Sequence, residues 1–311
     1  MAETNTTAPP YIMIAGPTAS GKSQLAYDLA VHCNGAVINA DSMQLYADLS
    51  VLTARPQPHE IQNVPHHLFG VLDAAHRASV ADWLARAAKV IETVRAAGQC
   101  PIIVGGTGMY LQAGLRGIAP VPDVPAAVHQ RCVDMHRALG PAKFRSELAR
   151  LDADIAERLV EGDSQRLIRA MGVALATQHP LSWWQQQPHK GAFSGTAVTI
   201  AVVPPRPVLY DRINARFDQM LAAGALDEVK RLMTRRLDPR LPLMKALGVA
   251  PLAAVLQGEM DLADAASLAK RDSRRYAKRQ MTWVRNNYNA QFALEKKFSE
   301  SLAQKIFSFI R

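Results

Sequence analysis

The sequence predicts an α/β fold with a mostly parallel sheet and an inserted all-helical domain, on three observations. Tyr11 to Ser23, YIMIAGPTASGKS, runs from an apolar stretch through a glycine loop into a helical pattern. Two further short runs, Ala36–Ala40 (AVINA) and Pro101–Val104 (PIIV), break off at polar or glycine-rich turns, which is the strand–helix alternation of a doubly wound sheet. Between 121 and 196 a charged, helical, nearly strandless stretch interrupts that alternation, bounded by the proline-punctuated IAPVPDVP. The expected layout is a core from 11–120 and 197–311, with 121–196 as the insertion.

Strand, glycine loop and helix in that order make a phosphate cradle, and with it the core is P-loop NTPase-like. Gly16 and Gly21 let backbone N–H groups turn in on phosphate oxygens, and the helix N-terminus adds its positive end. Lys22 supplies a point charge and the Ser23 hydroxyl is a Mg²⁺ ligand. The plain alternative is a glycine turn that only packs a helix onto a sheet. Which phosphate compound the loop holds is not written in the loop.

The second strand ends at Asp41, in DSMQLY, and ligands of such sheets gather outside the carboxyl ends of the strands. A carboxylate there suits Mg²⁺ binding or general-base work, and Asp-Ser before a helical pattern equally suits an N-cap. Adjacent His66 and His67 rarely converge on one metal and have no third ligand at suitable spacing, so a structural or substrate-lining role is expected. Ser79–Ala97 reads as an amphipathic helix with Val80, Trp83, Leu84, Ala87, Ala88, Ile91 and Val94 on one face, capped by Ser79 with Asp82 in the capping-box position. PIIV runs into Gly105-Gly106-Thr107-Gly108, a second glycine turn that brings Thr107 to the same rim.

Charge and cysteine usage narrow the class. With 311 residues and 49% apolar composition the chain has ample material for a core, and a net charge of +9 with pI near 9.6 points to a polyanionic partner if the charge is clustered. It is clustered: the predicted helix from about Leu262 carries Lys270, Arg271, Arg274, Arg275, Lys278, Arg279 and Arg285 against Asp272, +6 of the +9. Tyr276, Gln280 and Trp283 are interleaved, the mixture an RNA contact uses. In the insertion, Arg166 and Arg169 lie one turn apart beside Gln165, a face that meets either solvent or nucleic acid. Cys33, Cys100 and Cys132 form no CxxC and no even framework, which points to a reducing compartment and to neither a disulfide scaffold nor zinc. MAETNTTAPP has no apolar signal core and no run approaches membrane-spanning length. The expectation is a cytoplasmic, monomeric enzyme with no membrane partner, residues 1–10 disordered, and a strand and helix after Gln291.

Taken together these blocks resemble the tRNA dimethylallyltransferases (tRNA isopentenyltransferases). GPTASGKS at 16–23, NADSMQLY at 39–46, VPHHL at 64–68, GGTGMYLQAGLRGI at 105–118, QRLIRA at 165–170 and SRRYAKRQMTWVRN at 273–286 match in order along most of the chain. The resemblance implies transfer of a dimethylallyl group from dimethylallyl diphosphate to N6 of the adenine 3′-adjacent to the anticodon. The acceptors are tRNAs reading codons that begin with U, the cofactor is Mg²⁺, and diphosphate leaves. The loop then holds a diphosphate leaving group instead of ATP. Gly16, Thr18, Ala19, Ser20, Gly21, Lys22, Ser23 and Arg212, with Arg216 second, are implied diphosphate contacts, and Ser23 the metal ligand. Asp41 is implied as the base that takes the N6 proton, with Thr107, Lys22 and Arg212 completing the catalytic set. The anticodon stem-loop is implied to meet Asp41, Ser42, Met43, Gln44 and Thr107, then Gln165, Arg166, Leu167, Ile168 and Arg169 of the insertion, and Lys278, Arg279, Gln280, Trp283 and Arg285 of the basic helix.

The chain departs from the family pattern at Gly248-Val249-Ala250-Pro251, where a Gly-Tyr-Arg/Lys block is expected; this touches the tRNA grip and not the chemistry. Three rivals share parts of the pattern. A P-loop small-molecule kinase shares the loop but has no need of the basic helix. An adenylate isopentenyltransferase uses the same donor with a free nucleotide acceptor. A non-catalytic RNA-binding module explains the charge but not a phosphate cradle with Asp41 beside it.

Overall fold

A computed structural model describes residues 8–61 and 63–295. In chain order they form β1 (Tyr11–Ala15), α1 (Lys22–His32), β2 (Gly35–Asn39), α2 (Pro58–Ile61), β3 (His66–His67), α3 (Val80–Ala96), β4 (Cys100–Gly105) and α4 (Gly108–Arg116). These are followed by α5 (Ala126–Leu151), α6 (Ala153–Arg158), α7 (Ser164–Thr177) and α8 (Leu181–Gln186). Then come β5 (Ala197–Val202), α9 (Arg206–Ala222), α10 (Ala225–Thr234), a 3₁₀ turn (Leu243–Lys245), α11 (Val249–Leu256), α12 (Leu262–Asn287) and β6 (Phe292–Leu294).

The chain divides into two compact units, one running to Leu115 and resuming at Phe193, the other spanning Arg116–Ala192. The first holds a six-stranded sheet in the order β3-β2-β4-β1-β5-β6, parallel throughout. Parallel strands are covered on both faces, so they read as continuous apolar runs, and every residue of β1 and β2 is buried. Ile12, Ile14, Leu29, Val37, Ile102 and Ile200 are the heart of that core. The order places the carboxyl ends of β2, β4 and β1 side by side, so the turns beginning at Asp41, Gly106 and Gly16 share one rim. The backbones approach closely there: a Cβ on Gly105 would lie 2.1 Å from the Ala40 carbonyl oxygen.

The second unit is all helical, around Cys132, Phe144, Leu148, Ile155, Leu167 and Met171. Its long α5 breaks at Gly140-Pro141, where Gly140 takes φ 74°. Buried Asp152 accepts from the Ile155 and Ser182 amides, capping α6 and fixing the start of α8.

Several local expectations are corrected. Residues 42–45 form turns and 46–50 are not helical, so Asp41 caps no helix; its Oδ1 accepts the Met43 amide in a local turn. Ser79 does cap α3 through the Asp82 amide, but the Asp82 carboxylate turns to Arg86 and His76 and makes no capping box. Of the expected disordered start, 1–7 lie outside the described residues; Ala8–Pro10 have no regular structure, and the Pro9 carbonyl accepts from Arg95. A strand does follow Gln291, as β6, and the expected terminal helix lies outside the described residues.

Candidate active site

The phosphate loop is shaped by left-handed backbone at two positions. Gly21, the N-cap of α1, takes φ 94°, and Ala19 takes φ 61° although it carries a Cβ. Gly16 serves close approach and does not line the cleft: a Cβ there would meet the Val202 carbonyl at 2.6 Å. The Ser20 hydroxyl is turned into the loop, where it accepts the Lys22 amide at 3.4 Å. Thr18, Ala19, Ser20, Gly21, Lys22 and Ser23 line a cleft of about 840 Å³ with Asp41, Arg212 and Arg216.

Charges converge in this cleft. Burial lowers the Lys22 ammonium to about 8, opposed by the attraction of Asp41 and reinforced by Arg216. Arg216 is lowered by the same cause, burial, and attracted by Asp41. Its guanidinium reaches the Thr18 hydroxyl at 3.4 Å, while Arg212 reaches the Ser20 carbonyl at 3.5 Å. Arg212 and Arg216 of α9 therefore both face the loop, one helical turn apart, and Asp41 attracts Arg216.

Asp41 is held by its neighbours. The Asn39 side chain accepts the Asp41 amide at 2.8 Å and donates to its carbonyl at 2.9 Å and to the Leu68 carbonyl at 3.0 Å. Trp83 donates to the Asn39 carbonyl, fixing that residue from α3. Thr107 Oγ1 accepts the Ser42 amide at 3.0 Å and so ties the second glycine turn to the Asp41 turn. The Gln44 side chain is spent on the Thr53 and Ala54 carbonyls, where it holds one wall of the cleft.

The basic helix α12 divides between site and surface. Gln280 was expected against tRNA; it is instead buried, accepting the Thr18 amide at 2.9 Å and donating to the Gly106 carbonyl at 2.9 Å. One amide side chain thereby pins both glycine turns. Trp283 is half-buried over the second turn, where a Cβ on Gly108 would meet its ring at 2.3 Å. Lys278, Arg279 and Arg285 are exposed, and Arg279 lies 5.6 Å over the Tyr276 ring. Lys270 pairs with Asp218, Arg274 with Asn214, and Arg271 and Arg275 with Asp272, so much of the positive charge of this helix is locally answered.

In the helical unit, Gln165 and Arg166 of α7 are exposed; Arg166 pairs with Asp163, and Arg169 donates to the Pro122 carbonyl at 3.5 Å. Ile168 is half-buried. Leu167, expected against tRNA, is a core residue with no exposed surface, so its side chain meets only the helices around it.

Three contributors were not among the site residues expected from the sequence. Tyr276 touches Thr107 and Gln280, and burial, then the nearby Asp41 charge, push its phenol well up, keeping it a neutral hydrogen-bonding group beside the carboxylate. Glu228 of α10 is buried and accepts the Ser50, Val51 and Leu52 amides, shaping the cleft wall that Ser50 and Val51 form. Asn39 stands within NADSMQLY, yet only the fold shows that it clamps Asp41. The local pattern did carry one correction: Leu167, Ala170 and Met171 recur at helical spacing on one apolar face.

Ser23, Thr18 and Asp41 offer an all-oxygen donor set of two hydroxyls and one carboxylate along the cleft. That suits Mg²⁺, which takes one or two protein oxygens and draws the rest from phosphate and water.

Fold and site together define a P-loop-type α/β enzyme core that handles a phosphate compound beside a carboxylate. Residues 44–287 match the family model described as IPP transferase, and 10–69 match that described as Isopentenyl transferase. The tRNA dimethylallyltransferase of Rhodospirillum rubrum is 47% identical over 298 residues, covering 96% of this chain and 90% of that one. The tRNA dimethylallyltransferase of Paramagnetospirillum magneticum is 44% identical, covering 98% and 97%. Among solved structures, the tRNA isopentenylpyrophosphate transferase of Bacillus halodurans aligns with TM-score 0.67 and 32% identity, covering 97% of this chain and 95% of that one. A eukaryotic dimethylallyltransferase, solved acting on tRNA, aligns with TM-score 0.78 and 28% identity, covering 89% and 70%. The chain belongs to the IPP transferase family, the tRNA dimethylallyltransferases.

Proposed function

We propose that this chain transfers the dimethylallyl group of dimethylallyl diphosphate to N6 of the adenine 3′-adjacent to the anticodon, in tRNAs reading codons that begin with U. The observation that carries the reading is the meeting of Asp41 with Lys22 and Arg216 at the mouth of the phosphate loop. The N6 amine attacks the allylic carbon, the carbon–oxygen bond to diphosphate breaks, and the N6 proton passes to the Asp41 carboxylate. As that bond breaks, negative charge gathers on the diphosphate, and Lys22, Arg216, Arg212 and the loop N–H groups answer it where it develops. Ser23 would hold Mg²⁺, which when bound supplies further neutralisation of the diphosphate. Thr107 and Asn39 position the carboxylate, and Gln280 keeps the two glycine turns in register. The adenine must leave its stack to reach Asp41, and an unpaired loop base does so at a cost of about a few kcal/mol. Lys278, Arg279 and Arg285, with Gln165, Arg166 and Arg169, are the groups offered to the anticodon stem-loop. The cellular setting proposed is cytoplasmic and monomeric; among the described residues no helix is long and apolar enough to cross a membrane.

The test is incubation with dimethylallyl diphosphate, Mg²⁺ and unmodified tRNA, followed by nucleoside mass spectrometry, with AMP as a second acceptor and Asp41→Asn in parallel. Adduct on tRNA adenosine is expected, with the variant slower by about 10²–10⁴-fold. Adduct at equal rates in both proteins removes Asp41 from its role. Transfer to AMP and not tRNA moves the reading to an adenylate isopentenyltransferase.

A further inference from the structure

At the opposite, amino end of the sheet lie two cysteines that this chemistry does not use. Cys33 ends α1, and Cys100 opens β4. The two are far apart in sequence, but β2 and β4 pair with Gly35 opposite Cys100, and the Cys100 amide donates to the Asn34 carbonyl at 3.2 Å. That register brings the two cysteines together at the amino ends of β2 and β4, where both pack against the sheet core and their side chains interact, while the Cys100 thiol donates to the Pro101 carbonyl at 3.9 Å. Both residues are half-buried, whereas Cys132 is fully buried in the helical unit. Beside Cys100 stands Arg95 of α3, whose Nε is buried with no hydrogen-bond partner among the described residues. Its terminal nitrogens are held by the Ser194 hydroxyl and carbonyl and the Pro9 carbonyl, which fixes the charge in place.

We propose that Cys33 and Cys100 form a reversible redox site, a dithiol that hydroperoxides convert to a disulfide, with Arg95 stabilising the thiolate that closes it. The interaction with Cys100 lowers the Cys33 thiol, whereas the same interaction, then burial and the neighbouring Cys33 charge, raises Cys100. Cys33 is therefore the attacking sulfur. Its thiolate attacks the peroxide, the O–O bond breaks, hydroxide or alkoxide leaves, and Cys33 becomes a sulfenic acid. Cys100 then loses its proton to water, its thiolate attacks the Cys33 sulfur, and the second oxygen departs as hydroxide. The two thiols give up two electrons, the peroxide takes them, and water balances the sum. A dithiol reductant reverses the bridge. The bridge staples the last turn of α1, whose first turn carries Lys22 and Ser23, to the first residue of the strand that delivers Gly106 and Thr107.

The experiment treats the folded protein with hydrogen peroxide, alkylates the remaining thiols and maps peptides by mass spectrometry. A dithiothreitol-reversible Cys33–Cys100 linked peptide is expected, with Cys132 still alkylated. Cys100→Ser leaves Cys33 as a sulfenic acid that dimedone traps, and Cys33→Ser leaves Cys100 unoxidised. Arg95→Met slows closure severalfold while Arg95→Lys retains it, which separates charge from packing. Thiols that stay free, or Cys33 oxidised beyond sulfenic acid without a linked peptide, overturn the proposal. A Cys100→Ser protein whose Cys33 is inert to peroxide overturns the assignment of Cys33 as attacker.

Discussion

Lys22 shows how a single side chain is tuned by its place. Its ammonium sits half-buried among the loop carbonyls and donates to the Pro17 carbonyl at 3.2 Å, and desolvation brings its pKa down to about 8. The free protein loses the lysine charge as pH rises through about 8, while a bound diphosphate favours the charged form. Diphosphate affinity is therefore expected to weaken above pH 8, approaching tenfold per pH unit, relative to a Lys22→Met protein whose affinity is lower and lacks that component. Calorimetric titration of both proteins between pH 7 and 9.5 checks it, since diphosphate's own ionisation is common to the two. The loop motif made Lys22 legible from sequence, but not its shift, which comes from burial in the folded loop, reinforced by Arg216 and opposed by Asp41 on distant segments. Tyr276 was hidden because Thr107 lies on a distant segment, and Asn39 because the clamp it makes on Asp41 is a matter of turn geometry, not of residue type.

Among the elements, α12 and α10 carry the furthest-reaching side chains. Replacing Gln280 by Leu removes both of its hydrogen bonds and leaves the Thr18 amide and Gly106 carbonyl buried and unpaired. Misplacing the two turns relative to each other is expected to lower kcat/KM by about 10²-fold, with Gln280→Glu intermediate because it keeps an acceptor for Thr18. Steady-state kinetics beside thermal melting separates this from simple unfolding. Glu228→Gln exchanges an acceptor of three backbone amides for a group that presents its own N–H to them. It is expected to cost about 2–3 kcal/mol in denaturant unfolding and to raise KM for the diphosphate substrate, because the Ser50–Val51 wall loosens. The strands, α1, α3 and α12 were legible because they are long or strongly periodic. β3 was not, since two histidines carry no alternation. Glu228 was not either, since an acid in the first turn of an amphipathic helix reads as ordinary dipole compensation. A glutamine on a basic helix likewise reads as a base contact until the glycine turns are seen around it.

At the scale of the molecule, the net charge of +9 is less available than its sum suggests, because several α12 cations are paired within the fold. Lys278, Arg279 and Arg285 remain exposed. Changing all three to Ala is expected to flatten the slope of log tRNA affinity against log salt by about 2–3, with kcat at saturating tRNA little altered; filter binding across salt concentrations reads the slope. Clustered charge was visible in the sequence, whereas which charges were already answered depended on packing partners such as Asp218 and Asn214 on α9. The sheet order has a further consequence, for biosynthesis. β1 pairs with β4 on one side and with β5 on the other, Tyr11 opposite Ala197, and the whole helical unit is translated between those partners. At ordinary elongation rates about five to twenty seconds pass with one edge of the central strand unpaired on the ribosome. The site is completed later still, when Gln280 emerges and closes the two glycine turns. A nascent chain stalled before α12 thus presents an open, apolar sheet edge and an unfinished cradle, and that interval is where chaperones have the most to protect.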